Sequence, residues 1–185
     1  MSVFISRGFT LVELMITISI ASILLAVAVP SYQSLMKGSH LTTQANEFMT
    51  ALHYARSEAV KRGMRVTICK SADGATCNGD SWQDGWLIFS DAGTAGFVDS
   101  GDEVLRVFPK LAGSSLKGGS NFGSRISYLR NGRSQGGNNL PNGTFTLCHQ
   151  EDAREIIINV SGRARVEKGS CPANKEFSDE SEDEN

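Results

Sequence analysis

Glu13 is the one charged residue in a run of 21, Phe9 to Val29, whose other members are apolar or carry small hydroxyls. As a helix rising about 1.5 Å per residue, the run covers the roughly 30 Å of a bilayer's hydrocarbon. A carboxylate inside such a helix costs at least ~2.5 kcal/mol in lipid, so it calls for a partner cation. Cleavage after Gly8 would supply one, because it creates an α-amine on Phe9. That amine lies near enough in depth to pair with Glu13 of a neighbouring copy packed in register. The expected chemistry is proteolysis followed by an ion pair between subunits.

The run Gly8-Phe9-Thr10-Leu11-Val12-Glu13-Leu14-Met15 resembles the class III leader of type IV pilins and type II secretion pseudopilins. The resemblance implies a prepilin peptidase that cuts after Gly8 and N-methylates Phe9, and a Glu13 that guides subunit docking. Two plainer readings compete. A secretory signal peptide would be cut at Ala26-Val27-Ala28, but its n-region would hold only Arg7 and its apolar core would contain Glu13. A plain membrane anchor accounts for the length and leaves the carboxylate without a reason.

No other constellation in the chain points to catalysis. There is no Gly-Lys-Ser/Thr phosphate loop, His-Glu-x-x-His, Gly-x-Ser-x-Gly or paired-cysteine zinc motif, and His40, His53 and His149 are scattered. Asp91, Asp99, Asp102 and Glu103 match no calcium loop, so a solvated loop is expected there. Neither a metal nor a cofactor is expected, and the chain does not read as an enzyme. Trp82 and Trp86 read as anchors between sheet and helix, where each ring buries a large apolar area. The sequon Asn142-Gly143-Thr144 carries no weight.

Cys69, Cys77, Cys148 and Cys171 form an even set, and export would place them in an oxidising compartment. Two disulfides are expected. Pairing Cys69 with Cys77 and Cys148 with Cys171 is favoured, since each bond closes a local loop and leaves the other intact.

The elements that must position these groups follow from periodicity. A long helix is predicted from Phe9 to about Arg62, bent or loosened at Pro30 and open to interruption at Gly38-Ser39. Leu41, Ala45, Phe48, Leu52, Ala55 and Ala59 fall at alternating spacings of four and three, one helical stripe, with Gln44, Glu47, Arg56 and Lys61 opposite. Gly63 stops the helix. Strands are predicted at Met64 to Lys70, Gly85 to Asp91, Glu103 to Phe108, Arg125 to Arg130, Thr144 to His149, Arg154 to Val160 and Arg163 to Glu167. Leu111 to Gly123 and Asn131 to Gly143 read as glycine-rich surface loops that face partners.

The fold class is therefore α+β, a long N-terminal helix packed on antiparallel sheet. The chain of 185 residues divides into a leader, 1–8, a membrane or filament-core helix, 9–37, a globular domain, 38–175, and an acidic tail, 176–185. The net charge of −2 hides an asymmetry, because six acids sit in the tail and the other 14 acids face 18 bases. A run of like charge with one aromatic buries too little to offset the entropy of ordering, so the tail reads as disordered.

Residues 56 to 91, with Arg56 to Gly63, Cys69, Cys77, Trp82, Gly85 to Phe89 and Asp91, together with Gly162-Arg163-Ala164-Arg165, resemble the GspH/FimT/FimU group of minor pilins. The resemblance covers nearly the whole chain, the acidic tail excepted, and implies a minor subunit. Such a subunit would be held in the inner membrane with its domain in the periplasm, then carried to a fibre at the cell surface. Its partners would be the prepilin peptidase, other minor pilins and the major pilin, and it would help prime pilus assembly.

Arg163 and Arg165, two apart on a strand, point to one face and can reach consecutive phosphates. Arg130, Arg133 and Lys168 extend the patch if the fold brings the loops together. In FimT-like proteins a Gly-Arg-x-Arg segment is implicated in binding double-stranded DNA, which residues 162 to 165 match. The carboxylates of the tail oppose that role by competing for the arginines. A GspH-like role in type II secretion is the other alternative.

Overall fold

The computed structural model describes residues 9–172; the leader with Gly8, and the acidic tail, lie outside the described residues. Helix α1 spans Leu11–Arg62 and is unbroken at Pro30 and Gly38. Gly63, at φ 67°, ends it. The chain forms two compact units, one ending at Ser39 and one starting at His40.

In the first unit the start of α1 is fixed by its own sequence. The Thr10 hydroxyl accepts a hydrogen bond from the Glu13 amide at 3.2 Å, and the Thr10 carbonyl accepts the Leu14 amide at 3.1 Å. This is an N-cap with an acid at the third helical position, where the helix dipole favours negative charge. Leu11–Val29 is long and apolar enough to cross a membrane, and none of it is buried. Its hydroxyls are already satisfied: Thr17 donates to Leu14 O, Ser19 to Met15 O and Ser22 to Ser19 O, at 2.7–2.8 Å. Such back-bonding removes the cost of carrying hydroxyls into lipid.

In the second unit, the part of α1 from His40 onward buries the predicted stripe, each of its members 0–1 % exposed, with Ala51 beside them. Two antiparallel sheets meet it. One, of five strands, is built from β1 (Val66–Lys70), β2 (Trp86–Ser90), β3 (Val104–Phe108), β5 (Arg125–Tyr128) and β6 (Ser134–Gly136), in the order β3-β2-β1-β5-β6. The other, of four strands, holds β4 (Ser115–Gly118), β7 (Gly143–His149), β8 (Asp152–Ile158) and β9 (Ala164–Ser170), in the order β4-β7-β8-β9. Alternation sends Phe145, Leu147, Ile156 and Ile158 to one face of the second sheet, where they join Val66, Ile68, Trp86 and Ile88 from the first in one core.

Phe48 of α1 centres that core, with ring centroids 4.7 Å from Phe145, 5.1 Å from Trp86 and 5.9 Å from Trp82. Trp82 sits in a 3-10 turn, Trp82–Asp84, and donates its indole N–H to Phe122 O at 2.9 Å. Cys69, Leu87 and Phe89 form a smaller cluster on the far face of the five-stranded sheet, with Cys77 and Val98 packed against it.

Two expectations need correction. The stretches read as surface loops contain β4 and β6, and they contribute Leu116 and Phe122 to the core. Two of their glycines stand where nothing larger fits: a Cβ on Gly118 would overlap the Phe122 carbonyl, and one on Gly136 would overlap the Asn121 side chain. Gln44, expected opposite the stripe, is buried and donates from Nε2 to Ala112 O at 3.0 Å.

Candidate functional site

The chain presents two separate candidate sites, one on each compact unit. The first is the start of α1. Gly8 lies outside the described residues, while Phe9 and Glu13 are exposed. Thr10 was missed as a functional residue, although its spacing to Glu13 is legible as a capping pattern. It fixes where the helix begins, and so places Glu13 at the third helical position.

The second site is a pair of turns. In the first turn, between β5 and β6, the Leu129 amide donates to Arg133 O at 2.9 Å and the Gly132 amide to Leu129 O at 2.7 Å. In the other, between β8 and β9, Asn159 Oδ1 accepts the amides of Ser161 and Arg163 at 3.1 and 3.0 Å. These turns touch at their glycines. Gly162, at φ 77°, approaches Gly132 so closely that a Cβ on it would overlap the Gly132 carbonyl. Arg130, Arg133 and Arg163 are exposed on the two adjoining turns.

Arg56 fastens both turns to α1. Its Nε donates to Gly132 O at 2.9 Å and its Nη2 to Ser161 O at 3.3 Å. Read from the sequence as a charge on the helix's outer side, it is instead the positioning residue of this site.

The other two candidates are placed differently. Arg165, on β9, is paired within its own strand: Nε lies 2.6 Å from Glu167 Oε1, with both side chains more than half exposed. Lys168 stands an odd number of residues from Arg165, so strand alternation puts it on the opposite face, across from Arg154 of β8. It does not extend the arginine patch.

The remaining polar clusters are structural. Asp91 is buried and receives Arg65 Nη2 at 2.7 Å, the Thr67 hydroxyl at 2.5 Å and the Gly96 amide at 2.8 Å. Asp99 accepts the Thr94 amide, and Asp102 those of Ala92 and Asp99. Among the described residues no group of three or more possible metal ligands is found. Cys69 is bonded to Cys77, and Cys148 to Cys171. Within the loop closed by Cys69–Cys77, Asp73 accepts from the Thr76 and Ala75 amides and the Thr76 and Ser71 hydroxyls, which hold its carboxyl far below the usual carboxylate range, and it also accepts from Asn78. A cleft of about 790 Å³ beside Cys148–Cys171 is lined by Lys110 and Lys117 but also by Asp84 and Glu151, so its charges balance and favour no one class of ligand.

Residues 5–29 match the prokaryotic N-terminal methylation motif, and residues 44–162 match the family of the type II transport protein GspH. The chain belongs to the GspH family. These proteins are minor pilins and pseudopilins, structural subunits that work in complexes with other pilins. A fimbrial protein of Pseudomonas aeruginosa is 29 % identical over 115 residues, 60 % of this chain and 74 % of that one. The prepilin peptidase-dependent protein D of Escherichia coli is 44 % identical over 43 residues, 23 % of this chain and 30 % of that one. The crystal structure of the type IV minor pilin FimU of Pseudomonas aeruginosa superposes with a TM-score of 0.56 at 23 % identity, covering 72 % of this chain and 92 % of that one.

The GspH-family chain thus has the type IV pilin fold, an apolar N-terminal helix leading into an antiparallel β domain. A prepilin-type helix of this kind points to membrane anchoring and a pilus-associated location. The family match ends at Gly162, so Arg163, Arg165, Lys168 and Cys171 all lie beyond the matched span.

Proposed function

We propose that this chain is a minor pilin that helps to prime and assemble a type IV pilus. Prepilin peptidase cuts after Gly8 and methylates the new amine on Phe9. Glu13 pairs with the amine of an adjacent subunit, either another minor pilin or the major pilin, within the inner membrane. The β domain, in the periplasm, is then carried out with the fibre. The supporting observation is a lone carboxylate at the third helical position, its backbone amide held by the Thr10 hydroxyl, in a fully exposed apolar helix. Mass spectrometry of the exported protein tests the processing step: a chain beginning at N-methylated Phe9 is expected, and one beginning at Met1 or Val29 overturns it.

A second reading is favoured by the contact of Gly162 with Gly132, which brings Arg130, Arg133 and Arg163 onto one basic surface suited to double-stranded DNA. Replacing Arg130, Arg133 and Arg163 with Ala should then abolish duplex binding in a mobility-shift assay, with a steep loss of wild-type binding on adding salt. Running the assay with and without residues 176–185 measures how far the acidic tail competes. A role in type II secretion, after which the matched family is named, predicts that deletion blocks exoprotein release and leaves pili intact.

A further inference from the structure

Strand β9 ends the four-stranded sheet, and among the described residues only β8 pairs with it. It is seven residues long, and Arg165, Val166, Glu167 and Lys168 are all exposed. An open edge of this length offers a row of backbone donors and acceptors to another strand. Charged side chains usually blunt such edges. Here they alternate in sign in a way that makes the edge complementary to itself.

We propose that β9 pairs antiparallel with β9 of a second copy of this chain about a two-fold axis at Val166. A pairing that continues the sheet must keep each side chain on its own face, so the axis has to pass through a residue and not between two. At Arg165 it would set Arg165 against Arg165. At Glu167 it would set Glu167 against Glu167. At Val166 it sets Arg165 opposite Glu167 twice, Val166 opposite Val166, and Ala164 opposite Lys168. Opposite charges directly across a strand pair stabilise it, and like charges destabilise it. The existing Arg165–Glu167 contact at 2.6 Å thereby becomes half of an alternating four-charge ladder. One added strand buries less than the ~1,600 Å² of a standard interface, so the pair is transient and depends on local concentration. The inference rests on the edge alone and holds whichever machinery the protein serves.

The test is cross-linking of the full-length protein in detergent micelles with a bis-maleimide spanning about 8 Å. Val166→Cys should give a covalent dimer, since residue 166 meets its own copy at the strand spacing of about 5 Å. Lys168→Cys should not, because the two copies of residue 168 lie four residues apart along the strands, roughly 13 Å. In the Val166→Cys background, Arg165→Glu or Glu167→Arg should each lower the dimer yield at least tenfold. The exchange Arg165→Glu with Glu167→Arg should restore it. A Val166→Cys protein that stays monomeric overturns the proposal. So does equal cross-linking at position 168, or a yield that ignores the single charge reversals.

Discussion

Arg56 and Gly132 stand 76 positions apart in the chain and are joined by a 2.9 Å hydrogen bond from guanidinium Nε to carbonyl oxygen. With the second bond to Ser161 O, the side chain holds the two turns of the basic surface against α1. Arg56→Ala should cost about 1–3 kcal/mol, because two carbonyls lose a charged donor. Any polyanion affinity should fall with it, although Arg130, Arg133 and Arg163 are untouched. Thermal unfolding of the two proteins measures the first effect, and salt-dependent binding the second. Arg56→Lys, a point charge without the planar fork, should restore little of either.

Gly162→Ala should destabilise the domain by more than ~1 kcal/mol, since the residue sits at φ 77° and its new methyl would meet the Gly132 carbonyl. Gly101→Ala is the control for backbone strain alone: φ is 105° and no atom lies within 4 Å of the added methyl. Its smaller loss of unfolding free energy in urea would isolate the contribution of the close approach.

Trp82→Phe keeps an aromatic ring for the edge-to-face contacts with Phe145 and Phe48 but leaves the Phe122 carbonyl without its indole donor in a buried place. The cost should be about 1–3 kcal/mol, or roughly 2–4 °C of Tm for each kcal/mol in a domain of this size. Calorimetry at neutral pH checks it.

Asp73 gives a pH dependence of defined sign. Its folded carboxyl titrates below the unfolded value of about 3.9, because the amide and hydroxyl bonds favour the charged form. Its stabilising contribution is therefore complete above that value, and is lost as the pH falls toward the folded one. Asp73→Asn should lower Tm at pH 6, and the gap to wild type should narrow steadily as the pH falls from about 4 toward 2. A gap that stays constant over that range would assign Asp73 a role independent of its charge.

The helix stripe and the apolar strands could be read from the chain because each follows a single period: Leu41 to Ala59 alternate by four and three, and Trp86 to Phe89 form one continuous apolar run. The same reading failed where glycine stands for contact and not for a turn. β4 and β6 carry Gly118 and Gly136 beneath Phe122 and Asn121, and no local pattern tells a glycine at a close approach from one in a loop. Arg56 looked like a solvated charge because its partners are backbone carbonyls of distant turns, which no side-chain pattern marks. Lys168 was grouped with Arg165 by nearness in sequence, whereas the parity of a strand separates them. The capping of Glu13 by Thr10 was fully local and was there to be read.

Thr17, Ser19 and Ser22 spend their hydroxyl protons on their own helix. In the proposed assembly these hydroxyls would have no proton left to offer a neighbouring helix. The proposed pairing of Glu13 with a neighbour's amine would then be the polar contact that aligns one shaft with the next.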